Sequence, residues 1–488
     1  MSKFRDLSAY EVPFAEGYSL LPFRFSRLAG DDYVLTNEAG QFEILDRVTL
    51  ERLVRHQLDP RSLAYQNLKG SHFLIDADSS VAIDLLALKV RTKMRRLADF
   101  TALHIFVVSL RCEHSCPYCQ VSRRTDDKLA FDMPWEVAQR SIELAFRSPS
   151  PAIKIEFQGG EPLLNFPLIE QVVTEAERLN ERAGKNLAFV IATNLALLDD
   201  RILTFCKAHD IHLSTSLDGP RELHNRNRPR PGGDSYERTI EGIRAARAAL
   251  GRDRVSALMT STDASLGRVR DIIDEYIRHG FNSIFLRPLS PYGFAVKTRS
   301  YRAYDTDQWL AFYFEGLDYI VELNKAGVPF VETYAATILT KMLSPFETGY
   351  VDLMSPAGIG IAAVVYNYNG DVFASDEGRM LAEMGDTTFR LGHAMHNSFE
   401  EIFTSEALLR PLEESFARSA PMCADCAFEP WCGADPVFHH ATQGDYLGRK
   451  PESASCRRNM AIFRRLISMM RDDDAVRMLF SSWANQAC

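Results

Sequence analysis

Three thiols stand close together in Ser109-Leu110-Arg111-Cys112-Glu113-His114-Ser115-Cys116-Pro117-Tyr118-Cys119, with no fourth cysteine near them. Thiolates are soft ligands that suit iron–sulfur clusters or zinc. Three thiolates on a four-iron cluster leave one iron open to a substrate, whereas a structural zinc site takes four ligands. His114 offers zinc a fourth donor, so the count leaves both metals open. Accident is a poor account: with 9 cysteines in 488 residues, random placement gives this spacing about 0.003 times. A second group, Cys423, Cys426, Cys432 and Cys456, has spacings that also suit an all-thiolate zinc site. In a reducing compartment such clusters point to metal or catalysis rather than to disulfides. Cys206, amid Ile202, Leu203 and Phe205, reads as a small buried hydrophobe. Cys488 and the pair His439-His440 carry no assigned role.

From about residue 100, short apolar runs alternate with longer amphipathic ones, and the first cysteine group directly follows the first run. The expected strands are 104–110, 153–158, 188–193, 212–217, 255–260 and 284–289. The expected helices include 134–146, 167–179, 236–250 and 266–279. Repeated strand-then-helix units imply a parallel sheet, doubly wound or curled into a barrel. The thiols then sit at a strand's C-terminal end, where such folds place their chemistry. Residues 307–324 read as one more helix, and beyond about 344 the sequence turns irregular, which sets a boundary near residue 335. Upstream, 33–36 and 41–45 flank Asn37-Glu38-Ala39-Gly40 as a hairpin. Residues 46–57 then carry Leu50, Leu53 and Val54 at helical spacing, with Asp46 as N-cap. The expected organisation is an α+β domain over 1–95, an α/β core over 96–335, a cysteine-bearing domain over 336–470 and a tail over 471–488.

A chain of 488 residues is too long for one ordinary core. Hydrophobic residues at 46% and charged residues at 25% describe a globular protein, and a net charge of −9 argues against a nucleic-acid partner. Met1-Ser2-Lys3-Phe4-Arg5-Asp6 leads into no apolar signal core. No apolar stretch reaches the ~18 residues that span a bilayer. The expectation is a cytoplasmic protein without a membrane partner.

The spacing Cys-x3-Cys-x2-Cys, with Tyr118 before the last cysteine, resembles the signature of the radical S-adenosylmethionine (SAM) superfamily. The likeness continues along successive strands. Gly159-Gly160-Glu161-Pro162 resembles the motif that holds the SAM amino group. Paired glycines allow close backbone approach there, and Glu161 can accept from an ammonium. Thr193-Asn194 resembles a position near the ribose, and Ser216-Leu217-Asp218-Gly219-Pro220 resembles the segment in which Ser216 faces the cofactor. The stretch from His224 to Arg228, then Gly232 to Tyr236, follows as in the family, and Leu286-Arg287-Pro288 ends the strand near the adenine pocket. Any one of these is commonly a turn or a satisfied strand hydroxyl; their order carries the resemblance. It implies a partial (β/α)6 TIM-like barrel with SAM and a 4Fe-4S cluster on Cys112, Cys116 and Cys119. Gly159, Gly160, Glu161, Asn194, Ser216 and Arg228 are the implied cofactor-binding residues. The implied reaction cleaves SAM to a 5′-deoxyadenosyl radical that abstracts hydrogen from an unactivated carbon, with electrons from an external donor.

Cys423-x2-Cys426-x5-Cys432 followed by Cys456 resembles the C-terminal half of the SPASM extension of peptide-modifying radical SAM enzymes. Its full pattern carries two auxiliary clusters. Gly370 matches the glycine of the first half, but Ser355, Ser375 and Pro436 stand where further cysteines are expected. The ligands of the auxiliary cluster nearer SAM are thus missing together. Cys423, Cys426, Cys432 and Cys456 keep the other set, which implies one auxiliary 4Fe-4S cluster, with structural zinc as the alternative. Asp376 resembles the general base of formylglycine-forming maturases, although 375–379 reads as a loop-like, solvated turn. Phe146-Arg147-Ser148-Pro149-Ser150-Pro151 and Arg287-Pro288-Leu289-Ser290-Pro291-Tyr292-Gly293 resemble the His-Xaa-Ser system maturases of the HxsB type. That likeness implies a ribosomally made peptide or small protein as substrate, a crosslink-type modification and a partner radical SAM protein. The N-terminal hairpin and helix fit a peptide-recognition element that adds a strand at its sheet edge, or a plain folding accessory. The rival readings are a formylglycine-forming sulfatase maturase, a small-molecule modifier, and a non-catalytic iron–sulfur or zinc redox sensor.

Overall fold

The computed structural model describes residues 17–486, so the N-terminal residues read for a targeting signal, and Cys488, lie outside the described residues. Strands β1 (Phe23–Ala29), β2 (Asp32–Asn37) and β3 (Phe42–Asp46) form an antiparallel meander. The β2–β3 hairpin is closed by Asn37 Oδ1, which accepts from Ala39 N at 2.9 Å and Gln41 N at 3.1 Å. Asp46 caps the helix Arg47–Val54 by accepting from Thr49 N at 2.8 Å. Leu50 and Leu53 are buried, but Val54, expected on the same face, is half-exposed as the helix's last residue. This meander packs against the segment that carries the second cysteine group. Arg24 Nε and Thr36 Oγ1 donate to the carbonyls of Ala424 and Ala427, and Trp431 Nε1 donates to Gly40 O.

Six strands follow in the main sheet: β4 (Leu103–Ser109), β5 (Ala152–Gly159), β6 (Asn186–Ala192), β7 (His212–Ser216), β8 (Val255–Thr260) and β9 (Leu286–Arg287). They lie side by side in chain order and all run parallel. Parallel neighbours need crossover connections, and amphipathic helices supply them. Phe166–Ala183, for example, buries Phe166, Ile169, Val172, Val173 and Ala176 on one stripe. β4 is buried at every position from His104 to Ser109, as expected of a parallel strand covered on both faces. The expected strand 284–289 is divided: Ser283–Ile284 pairs with Val331–Glu332, and only Leu286–Arg287 joins the main sheet. Pro288, which has no N–H for a ladder, follows at once.

The main sheet continues past β4 into the region read as irregular. β10 (Ala363–Tyr366) pairs parallel with β4, and β11 (Asp371–Phe373) and β12 (Arg390–His393) extend it antiparallel. The result is a large, mostly parallel sheet with helices between its strands. The helix Thr333–Leu343 runs across the boundary expected near residue 335. The stretch read as a tail forms the helix Asp474–Gln486, which buries Val476, Phe480, Trp483 and Ala484 at helical spacing in the core. Among the described residues, no helix is long and apolar enough to cross a membrane.

Candidate active site

The loops at the C-terminal ends of the parallel strands surround a cavity of about 310 Å³. Cys112, Cys116 and Cys119 line it from the loop after β4. Gly159 and Gly160 contribute from the end of β5, Asn194 from beyond β6 and Ser216 from the end of β7. Arg228 and Asp376 complete the set of expected residues on its wall. Glu156 and Thr260, which sequence reading did not single out, line it too, as does Arg287 from the segment likened to the adenine pocket.

The paired glycines serve a backbone junction. Gly160 N donates to Ser109 O at 2.8 Å and Glu161 N to Arg111 O at 2.7 Å, which joins this loop to the root of the cysteine loop. A Cβ on Gly159 would stand 1.9 Å from Ser109 O, and one on Gly160 would stand 2.2 Å from Arg111 O. Gly159 also has φ +140°, which L side chains rarely adopt. Close approach is therefore required at both positions, toward the chain itself. Gly160→Ala is expected to push the Arg111 carbonyl away and to cost about 3 kcal/mol. A lower urea midpoint, with iron lost after anaerobic reconstitution, would record this; an unchanged midpoint would refute it.

Glu161 stands behind the cavity wall, 1% exposed. Its carboxylate accepts from Thr193 Oγ1 at 2.7 Å, Leu163 N at 3.0 Å and Asn194 N at 2.9 Å. It thereby fixes the β6 loop against the β5 loop. Burial, with the neighbouring Glu113, pushes its pKa up to about 8, although its three donors favour the charged form. A ligand cation nearby would lower it again. Asn194 Nδ2 donates to Glu113 Oε1 at 2.7 Å. Cys112, Glu113 and His114 offer ligand-type atoms within 4.8 Å of one another. The nitrogens of His114 already have partners, with Nε2 2.8 Å from Ser235 Oγ and Nδ1 3.1 Å from Glu113 Oε1. These contacts make His114 a strut between the cysteine loop and the helix Ser235–Leu250.

A buried carboxylate missed by sequence reading organises the opposite side of the loop. Asp218 is 0% exposed and follows β7. Tyr118 Oη donates to its Oδ2 at 2.6 Å, and Arg228 Nε and Nη2 donate to Oδ2 and Oδ1 at 3.0 and 3.2 Å. The Arg228 guanidinium also stands 5.5 Å from the Tyr118 ring centroid. Tyr118 lies between Cys116 and Cys119, so this network holds the thiol loop to the strand end. The signal was Asp218 itself, next to Ser216 in a motif read only for its hydroxyl. Burial, with Glu113 next, raises the Cys112 thiol, and burial pushes Cys116 up to about 12. A positive metal centre reverses that preference by stabilising the thiolates.

Residues 106–276 match the family model of the radical SAM superfamily. An uncharacterized protein of Methanothermobacter thermautotrophicus is 32% identical over 213 residues, spanning 43% of this chain and 72% of that protein. The chain belongs to the radical SAM superfamily. A solved structure of native anSMEcpe with bound AdoMet matches at a TM-score of 0.63 and 16% identity, covering 77% of this chain and 100% of that one. A crystal structure of Streptococcus suis SuiB bound to precursor peptide SuiA matches at a TM-score of 0.53 and 15% identity, covering 91% of this chain and 99% of that one. These likenesses agree with a radical SAM α/β fold built on a large, mostly parallel sheet.

Two further features of this radical SAM protein bear on its site. The stretch 375–379, read as a solvated turn, instead opens the helix Asp376–Ala382, because Ser375 Oγ caps it by accepting from Gly378 N at 3.1 Å. Asp376 Oδ1 accepts from the buried Arg379 Nε at 3.1 Å. The second cysteine group is gathered beside helix Ala454–Asp472, whose first turn carries Cys456. Burial pushes Cys456 up to about 12, and the charges of Cys432, Cys423 and Cys426 add to the effect. Among the described residues, no three thiols of either group converge within 4.8 Å of one another. A tetrahedral zinc site with Zn–S bonds near 2.3 Å would hold its sulfurs about 3.8 Å apart.

Proposed function

We propose that this radical SAM protein is a SPASM-type maturase, closest to the HxsB type, that modifies a ribosomally made peptide or small protein in the cytoplasm. The observation that carries the reading is one cavity lined by Cys112, Cys116, Cys119, Gly159, Gly160, Asn194, Ser216 and Arg228. Cys112, Cys116 and Cys119 would hold a 4Fe-4S cluster, which would supply the one-electron reduction for SAM cleavage and hydrogen removal from an unactivated carbon. Asp218 and Tyr118 keep the thiol loop and Arg228 in place, and Glu161 keeps the β5 and β6 loops together. Asp376, with one oxygen held by Arg379, offers its other oxygen as a base for a substrate proton. Peptide substrates are supported by SuiB, solved with its precursor peptide, and by anSMEcpe, solved with AdoMet and a Cp18Cys peptide.

Cys423, Cys426, Cys432 and Cys456 would hold one auxiliary 4Fe-4S cluster in this reading, with structural zinc as the alternative. The positions that lack cysteine have structural duties instead. Ser355 Oγ accepts from Ala417 N at 3.0 Å, Ser375 caps a helix, and Pro436 opens the helix Pro436–Gln443. In this reading the N-terminal unit serves as a peptide-recognition element or as a folding accessory, and the chain would draw on an external electron donor and a partner radical SAM protein. In this reading the chain divides into 1–95, a radical SAM barrel of (β/α)6 type over about 96–335, and an auxiliary-cluster region beyond it, with the helix Thr333–Leu343 and the strands from Ala363 to His393 joining the last two.

Anaerobically reconstituted protein is expected to release 5′-deoxyadenosine from SAM under reduction. A co-expressed precursor peptide is expected to lose two hydrogens, as a crosslink requires, by mass spectrometry. A formylglycine mass shift would favour the sulfatase-maturase reading. No SAM cleavage by an iron-loaded sample would leave a redox-sensing protein.

A further inference from the structure

A small chamber adjoins the thiol-lined cavity, and its lining is unusual in charge. Asp352, Glu377, Asp435, Arg287 and Arg458 all face it. They arrive on separate elements: Arg287 on β9, Asp352 on the turn Val351–Leu353, Glu377 on the helix Asp376–Ala382, Asp435 at the cap of Pro436–Gln443, and Arg458 on Ala454–Asp472. Arg287 lines both this chamber and the thiol-lined cavity. Outward, Leu289, Phe438 and Arg458 also line a surface groove of about 530 Å³. The chamber thus shares wall residues with both the surface groove and the thiol-lined cavity. Its volume is about 30 Å³, room for a side-chain head and not for a whole residue.

Charges partly withdrawn from water, as these five are, are ordinarily paired. Among the described residues, neither guanidinium has a carboxylate within the 4.0 Å of an ion pair, and Arg458 Nε is buried without any hydrogen-bond partner. Asp435 accepts from Phe438 N at 2.9 Å. The lining itself carries three carboxyl groups, Asp352, Glu377 and Asp435, against two guanidinium groups. Burial, with Asp352 next, pushes Asp435 up to about 8 and Glu377 up to about 7. An arriving cation relieves that repulsion, whereas an anion meets the carboxylates and a neutral group leaves them unrelieved.

We propose that this chamber is a specificity subsite for the cationic head of a substrate side chain, an ammonium or guanidinium, which anchors the peptide while a neighbouring residue faces the thiol loop. The proposal rests on the peptide-maturase reading above and names what that site selects.

The test uses the anaerobic holoenzyme and acetyl-Gly-Gly-Xaa-Gly-Gly-amide probes, with Xaa lysine, arginine, norleucine or glutamate, titrated by ligand-observed NMR. At least one cationic probe is expected to bind about tenfold tighter than the norleucine probe. A Glu377→Gln/Asp435→Asn variant is expected to lose that preference while keeping its melting temperature and iron content. Asparagine can still accept from Phe438 N, so the helix cap survives; should the pair fail to fold, Glu377→Gln alone is expected to shrink the preference. Norleucine or glutamate probes binding as tightly as the cations would overturn the proposal. So would a cation preference undiminished in the variants. SAM cleavage by the wild type is read in parallel: cleavage without cation preference rejects the subsite alone, and cation preference without cleavage rejects the enzymatic reading alone.

Discussion

Replacing Cys112, Cys116 and Cys119 together by alanine is expected to remove about four irons per chain and to abolish SAM cleavage, leaving about four irons at the second cysteine group. Among the described residues, these thiols are the only cysteines on the cavity wall. Cys206 cannot replace them, being 0% exposed inside the core. Iron and sulfide per chain, before and after substitution, check the result. A fall from about eight irons to about four supports a cluster at each group. A fall from about four to none, with zinc retained, assigns the second group to zinc. About twelve irons in the wild type would mean that a further cluster finds other ligands. Iron content unchanged by the substitution would remove the basis for cluster binding at this loop.

The parts of the site that were legible in the sequence are those written in local spacing. Cys112, Cys116 and Cys119 fall within one loop, and the apolar runs ahead of each motif gave strands close to their observed bounds, as at Val255–Thr260. Parallel strands buried on both faces leave such runs because neither face meets water. Tertiary pairing was not legible. Ala363–Tyr366 is a four-residue strand whose partner β4 lies far upstream in the chain, and nothing local distinguishes it from a buried turn. Glu161 was read as a ligand-facing carboxylate, and only the fold reveals that Thr193, Leu163 and Asn194 already occupy it. Arg287, Asp352, Glu377, Asp435 and Arg458 meet from distant positions, so no spacing could announce the chamber they line. The helical start at Asp376 was obscured by its short polar residues, which suit a turn as well as a cap.

Asp218→Asn tests whether the carboxylate beneath the thiol loop matters through its charge. Asparagine keeps the shape and one carbonyl oxygen, so Thr260 N, 3.4 Å from Oδ1, keeps an acceptor. It removes the negative charge that two Arg228 nitrogens contact at 3.0 and 3.2 Å. Arg228 is only 16% exposed at its side chain, so it would remain as a nearly buried, unpaired cation. Breaking a pair of this kind costs about 3–5 kcal/mol, because desolvation of the remaining charge is no longer offset. Tyr118 adds to the loss, since its buried hydroxyl donates to the same carboxylate at 2.6 Å. The expected result is a lower urea midpoint for the transition that releases iron from the first group, with the second group's metal retained. Asp218→Asn/Arg228→Met removes both charges and is expected to recover at least half of the lost stability, since neither partner is then left unpaired. Recovery separates an electrostatic role from mere packing, because methionine restores no contact to residue 218. If the double variant is no more stable than the single one, the charge pair does not hold the loop. The Tyr118 hydroxyl would then be the main tie between Cys116, Cys119 and the end of β7.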